Sequence, residues 1–283
     1  MLAATVITCV GMLFAASSSL GAEAKRVAGG TRHTCAVKTS GKVVCWGRNL
    51  EGESSPPGGA FKSLAAGSTH TCGVKKSGKV RCWGSDSNGE SSPPGAKFRS
   101  ISAGTSHTCG VKKNGKVACW GSDGEGQSSP PGAKFRSVGA GAYHTCAVKR
   151  SGKVACWGYD GSGGASPPGA RFTSVGGGFN STCGVRRNGK VACWGLDDAG
   201  QASPPGAKFR SVDVGSAYTC GVRRSGKVTC WGSDDAGQAS PPGAKFRSIS
   251  AGSGHGCGVK RNDKVACWGL NDEGQTDVPP GLG

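Results

Sequence analysis

No stretch of this chain sustains a 3.6-residue apolar period, because glycine or proline interrupts every segment long enough for a helix. Its 52 glycines follow no Gly-X-Y period, which excludes collagen; they sit at fixed phases, as turn residues do. No cysteine pair has the short C-x2-4-C spacing of a zinc site. No Ser, Cys or His triad is indicated, and no loop has the ligand order of a calcium site, so no catalytic constellation, metal or cofactor is expected. The one long apolar run, Leu2 to Ala16, is shorter than the ~20 residues a membrane span needs. Acidic residues are scarce, with 17 Asp and Glu against 35 Lys and Arg, for a net charge of +18.

What the chain does have is a strict 37-residue repeat. Tryptophan recurs at Trp46, Trp83, Trp120, Trp157, Trp194, Trp231 and Trp268. Cysteines keep the same step in the pairs Cys35 and Cys45, Cys72 and Cys82, Cys109 and Cys119, Cys146 and Cys156, Cys183 and Cys193, Cys220 and Cys230, and Cys257 and Cys267. A repeat of this length means a solenoid, a propeller or an array. A residue present seven times serves the fold, so specificity is sought where the copies differ.

Residues 1–24 read as a secretory signal: an uncharged apolar segment followed by Ala22-Glu23-Ala24, a small-residue cleavage site. A retained membrane anchor is the alternative. Removing the leader removes Cys9 and leaves an even set of seven local pairs, which in an oxidising compartment reads as a disulfide framework. Residues 25–283 then form one seven-repeat domain.

The second unit shows the local structure. Phe61 to Ala65, His70 to Lys75 and Lys79 to Trp83 are short β-like runs. Lys76-Ser77-Gly78 suits a three-residue hairpin loop with Gly78 in the left-handed position. The last unit has Asp263 there, which tolerates that conformation less well than glycine. This loop places Val74 opposite Val80 and Cys72 opposite Cys82, so a disulfide crosses each hairpin. Trp83 follows Cys82 and points to the other face. A small sheet apolar on both sides is buried by copies of itself, and seven copies fit a seven-bladed β-propeller of roughly three-stranded blades. A linear β-solenoid is the competing architecture, but it needs capping ends and the terminal units look ordinary.

Ala65-Ala66-Gly67-Ser68-Thr69-His70-Thr71, then Trp83-Gly84, and the trailing Trp268-Gly269-Leu270-Asn271-Asp272-Glu273-Gly274-Gln275 resemble the regulator of chromosome condensation repeat. The resemblance covers residues 25–283 and implies a seven-bladed propeller. The units are shorter than the founder's, resembling bacterial propeller inhibitors of β-lactamases. Their paired cysteines are similar to those of plant crinkly-type receptor kinase ectodomains. The founder is a nuclear nucleotide exchange factor for a small GTPase. Exchange activity is the weakest expectation here, because a secreted disulfide-bonded chain does not meet that partner.

His33, His70, His107, His144 and His255 share one phase, with Ser181 and Tyr218 replacing histidine in units five and six. A ring of histidines invites a metal; the resemblance instead implies a structural histidine hydrogen-bonded at the turn before the hairpin. The carboxylates after Trp-Gly, such as Asp86, Asp123, Asp197 and Asp234, read as solvated loop charge.

Two features carry function. Hairpin tips are basic, as in Lys112, Lys113 and Lys116, and so are the starts of the first strands, as in Lys134 and Arg136. An antiparallel first strand begins at the tip end, whereas the acidic loops leave from the opposite end. Basic and acidic groups therefore segregate, and a positive face attracts polyanions. The tips lack aromatic residues for base stacking, so no sequence-specific nucleic acid is expected. Divergence is the second feature: Tyr143, Tyr159, Phe179 and Tyr218 fall at the loop end of units four to six, where clustered aromatics anchor interfaces. The chain reads as a secreted, periplasmic or cell-surface monomer without enzymatic activity. Its expected partner is an extracellular protein, or alternatively an acidic polymer such as polysaccharide, lipopolysaccharide or extracellular DNA.

Overall fold

The computed structural model describes residues 24–283; the segment expected to be a secretory signal and Cys9 lie outside the described residues, except that Ala24 opens the first strand. Seven separate three-stranded antiparallel sheets follow one another, and no helix occurs among the described residues. In the second blade the strands are Phe61–Ala66, His70–Lys75 and Val80–Gly84, hydrogen-bonded in chain order. The first strand of every blade lines one central channel, so it is innermost and the third strand is outermost. The first blade, from Ala24, packs against the first strand of the seventh, Phe246–Ala251, and the ring is closed.

Local chemistry sets each hairpin. Gly78 has φ of 90° and its N–H donates to the Lys75 carbonyl at 2.9 Å, while Lys75 N–H donates to the Lys79 carbonyl at 2.8 Å. Asp263 adopts the same conformation with φ of 66°, the one left-handed non-glycine residue among the described residues. The register follows: Val74 faces Val80 and Cys72 faces Cys82. All seven pairs are disulfides, each joining residues ten positions apart with Cα atoms 4.0 Å apart.

The core lies between blades. Phe61 at the start of blade two packs against Cys35, Val43 and Cys45 of blade one on one side and Trp83 of its own blade on the other. The Phe–Trp pair recurs in blades two to seven, with ring centroids 5.5–6.0 Å apart. Each Trp indole donates to a backbone carbonyl of the preceding blade's loop, as Trp83 does to Glu53 at 2.8 Å and Trp120 to Glu90 at 2.9 Å. Burying each such Phe contributes about 1.5–3 kcal/mol, and the share that comes from the preceding blade is lost to an isolated one.

Blade one has Ala24 where the others have Phe. The gap is filled by Leu282, fully buried among Ala24, Ala36, Trp46, Val259 and Val265. Val265 N–H donates to the Leu282 carbonyl at 2.6 Å and Ala24 N–H to the Asp263 carbonyl at 2.8 Å. Trp46 donates to the Gln275 carbonyl at 2.9 Å, so blade seven meets blade one through the same bond that joins the others.

Candidate functional site: the two faces of the ring

The hairpin tips define one face. Each tip is stitched to its neighbours: Phe135 N–H donates to the Gly115 carbonyl at 2.8 Å, and Lys116 pairs with Lys134 in an isolated antiparallel bridge. Lys113, Lys116, Lys134 and Arg136 are exposed and Lys112 is half-buried, and the structure brings all five to this face. Arg99, Arg136, Arg210 and Arg247, second residues of their inner strands, each donate to the carbonyl opening the next blade's inner strand. Their guanidinium groups are thereby held in a partial circle at the tip-side end of the inner strands.

Charge divides between the faces. Of the 35 Lys and Arg, all but Arg32, Arg48 and Arg81 lie at a hairpin tip or around the start of an inner strand. Asp263 is the sole acid there among the described residues, and it pairs with Arg247. The remaining ion pairs among the described residues, Arg32 with Asp272 and Glu273 and Arg48 with Glu53, belong to the opposite face.

On that opposite, loop face Asp86, Asp123, Asp160, Asp197 and Asp234 are exposed, as expected from sequence, and each also clamps its own loop. Asp86 Oδ1 accepts the Ser91 N–H at 2.8 Å and its Oδ2 the Ser92 hydroxyl at 2.6 Å. Asp123, Asp160, Asp197 and Asp234 clamp their loops in the same way. Asn49 and Asn271 do the equivalent work in blades one and seven. The short side chain satisfies loop N–H groups that no strand pairs.

The five histidines are buried, and each Nε2 meets the hydroxyl of a threonine in the next blade, as in His33 with Thr71 at 2.7 Å and His255 with Thr34 at 2.8 Å. The partner is therefore across the blade seam rather than at the local turn. The ring of each lies against the glycine three residues earlier: a Cβ on Gly104 would collide with the His107 ring and the Gly141 carbonyl. Burial holds these imidazoles neutral, lowering the pKa of His33 and His107 to about 3 and of His70, His144 and His255 to about 4. Among the described residues no group of three or more His, Cys, Asp or Glu converges on one point.

The four divergent aromatics separate into two kinds. Tyr143 and Phe179 are exposed by 39% and 43%, and their rings meet edge to face at 5.7 Å. Tyr159 is 37% exposed; its N–H donates to the Tyr143 carbonyl at 2.9 Å, while its ring lies against Gly161 of its own loop. Tyr218 does not belong to this surface. It is fully buried, fills the space of the missing histidine, and its hydroxyl donates to the His255 carbonyl. Its phenol is long enough to bridge the seam, so it replaces a histidine rather than anchoring a partner.

The channel is about 530 Å³ in volume. Its lip on the loop face is mostly hydroxyls, with Thr31 bonded to Ser68 at 3.1 Å and Ser216 to Ser253 at 2.6 Å. Phe179 occupies the same phase in blade five. Deeper in the channel stands Asp213, the sole charged side chain in its wall among the described residues, which the sequence reading passed over. Its signal was present: the same phase holds Ala28, Ala65, Ser102, Gly139, Gly176 and Ser250 elsewhere.

Comparison with known proteins agrees with this geometry. The regulator of chromosome condensation (RCC1) repeat model matches seven times, at residues 24–53, 61–90, 98–127, 135–163, 172–201, 209–238 and 246–275. A search of curated protein sequences gives no match. Among solved structures, the CRINKLY ectodomain of the Arabidopsis thaliana receptor kinase ACR4 is 27% identical, with a TM-score of 0.76 over 92% of this chain and 99% of that one. The entire ectodomain of the Physcomitrella patens receptor kinase CR4 is 26% identical, with a TM-score of 0.75 over 88% and 74%. Yeast RCC1 (Prp20), solved bound to Kap60, is 16% identical with a TM-score of 0.73 over 100% and 91%, a likeness of fold alone. Seven matched repeats, seven disulfide-stapled sheets and one closed ring establish that the chain belongs to the regulator of chromosome condensation (RCC1) repeat family.

Proposed function

We propose that this chain is an extracytoplasmic, non-catalytic binding propeller whose tip face engages acidic polymers. The observation that carries the reading is the segregation of charge: nearly every Lys and Arg lies on one face, with a single ion pair quenching it among the described residues. Such a face attracts polyanions by counterion release, without reading sequence or exact sugar. Seven disulfides and the likeness to two receptor ectodomains support placement outside the cytoplasm. Nothing in the 16%-identical likeness to yeast RCC1 transfers nucleotide exchange to this chain. Elution from immobilised heparin and from DNA over a salt gradient tests the reading. Retention at low salt that falls steeply as salt rises is the expected result; passage through both columns at low ionic strength overturns it.

A second reading rests on a separate observation. The exposed Tyr143–Phe179 pair is an aromatic patch at the channel lip, on the face away from the basic tips, and the exposed Tyr159 lies on the same face in the adjoining loop. Rigid aromatics of this kind anchor protein contacts. The loop face is thus a contact surface for a polypeptide partner, tested by the peptide titrations described next.

A further inference from the structure

The inner strands are nearly repeats of one another, yet blades four to six break the pattern together. At the phase that caps the neighbouring strand, Ser102 accepts the Ala140 N–H at 3.0 Å and Ser250 accepts the Gly29 N–H at 3.1 Å. Asp213 makes the same bond, its Oδ2 accepting the Ala251 N–H at 2.9 Å. A serine suffices for that cap, so the carboxylate brings a charge the architecture does not require.

The surroundings of that charge are open on one side. Blades four and five carry Gly139 and Gly176 at this phase, and a Cβ on Gly176 would stand 3.6 Å from Asp213 Oδ1. The missing side chain leaves the carboxylate facing bare backbone across the seam. Phe179 lies three residues further along the same blade, at the lip, with Tyr143 packed on its edge. Three residues span roughly 10 Å. A lysine's four-carbon stem entering at the lip, ending in one charge-assisted hydrogen bond, covers that distance.

We propose that the loop-face mouth of the channel is a binding site for a lysine side chain presented by a polypeptide partner, with Phe179 and Tyr143 holding the alkyl stem and Asp213 accepting the ammonium. The proposal deepens the loop-face reading and rests on it. Charge complementarity favours the occupant: among the described residues no other charged side chain lines the channel, and Asp123, Glu125, Asp160, Asp197 and Asp198 project from the loops of this face. Burial raises the Asp213 pKa to about 6 despite bonds from Ala251, Ser250 and Val214, so the channel solvates the carboxylate poorly and an ammonium ion is the missing counter-charge.

The test uses the full chain and two pentapeptides, acetyl-Gly-Gly-Lys-Gly-Gly-amide and the same peptide with norleucine for lysine, titrated calorimetrically at low ionic strength near pH 7.5. Two variants borrow residues the fold already accepts at the same phases: Asp213→Ser, as in blades three and seven, and Phe179→Ser, as in blades two, six and seven. The expected result is saturable binding of the lysine peptide, at least tenfold weaker for norleucine. Asp213→Ser should then lose that preference while Phe179→Ser weakens both peptides. Unchanged heparin retention by Asp213→Ser shows that the ring is intact. Equal binding of both peptides, still weakened by Phe179→Ser, overturns the lysine site and leaves the contact surface standing. No binding of either peptide overturns both.

Discussion

His107 Nε2 stands 2.8 Å from the Thr145 hydroxyl of the next blade, and that threonine in turn donates to the Gln127 carbonyl at 3.1 Å. The pair ties three segments across one seam and is wholly buried. Replacing His107 by Ala takes one of the threonine's partners and opens a cavity, at a cost of about 2–4 kcal/mol. Chemical denaturation of the variant should show the midpoint moving down. The Ser181→Ala variant, in a blade whose seam lacks the histidine, should lose less.

The same histidines make the ring acid-sensitive. Their folded pKa values, about 3 to 4, lie below the ordinary 6.5, so between those limits the unfolded chain binds more protons than the folded one. Stability is therefore full above pH 6.5 and falls as pH drops toward 4, by roughly 1.4 kcal/mol per histidine for each pKa unit separating the two states. Asp213, raised to about 6 from 3.8, acts in the opposite sense between those values, and one carboxylate against five imidazoles does not reverse the trend. Melting temperatures measured from pH 8 to pH 4 should decline through the lower half of that range. A flat profile contradicts buried neutral histidines.

Leu282 closes the ring, and its removal should be felt at one seam only. Leu282→Ala should cost about 2–5 kcal/mol, as for other fully buried leucines. Hydrogen exchange in the variant is expected to rise in Ala24–Gly29 and Val265–Gly269 and to stay unchanged in blades three to five. Uniform loosening of all seven blades would argue against a local latch.

Each disulfide closes a short hairpin loop, so its removal should be local and moderate in effect. Replacing both Cys109 and Cys119 by Ala should destabilise by about 3 kcal/mol in the chain-entropy model while leaving the ring assembled. Urea unfolding and size-exclusion elution check the two halves of this statement.

Charge reversal separates the faces. Lys113→Glu with Lys116→Glu should lower retention on heparin and, on duplex DNA, flatten the dependence of log affinity on log salt by about 0.9 for each phosphate no longer neutralised. Asp197→Lys with Asp198→Lys, on the loop face, should change both quantities little. Equal effects from the two pairs would reduce the basic tips to solubility charge.

What the chain alone determined is what neighbours in sequence decide. Strand alternation and the loop at Gly78 set Cys72 opposite Cys82, because hairpin register depends on a few adjacent residues. Connectivity alone put Lys116 and Lys134 at one end and Asp197 at the other, because an antiparallel strand must begin where its partner turns. The seams were decided only in three dimensions. The repeat phase marks Tyr218 as a histidine replacement, but only packing shows that it fills that place between blades while Tyr143 faces solvent. Which strand lines the channel, how Leu282 stands in for the phenylalanine missing at Ala24, and why Asp213 faces a gap at Gly176 all depend on packing between distant repeats. Local propensity carries no information about that packing, because each blade is half of two cores and completes neither by itself.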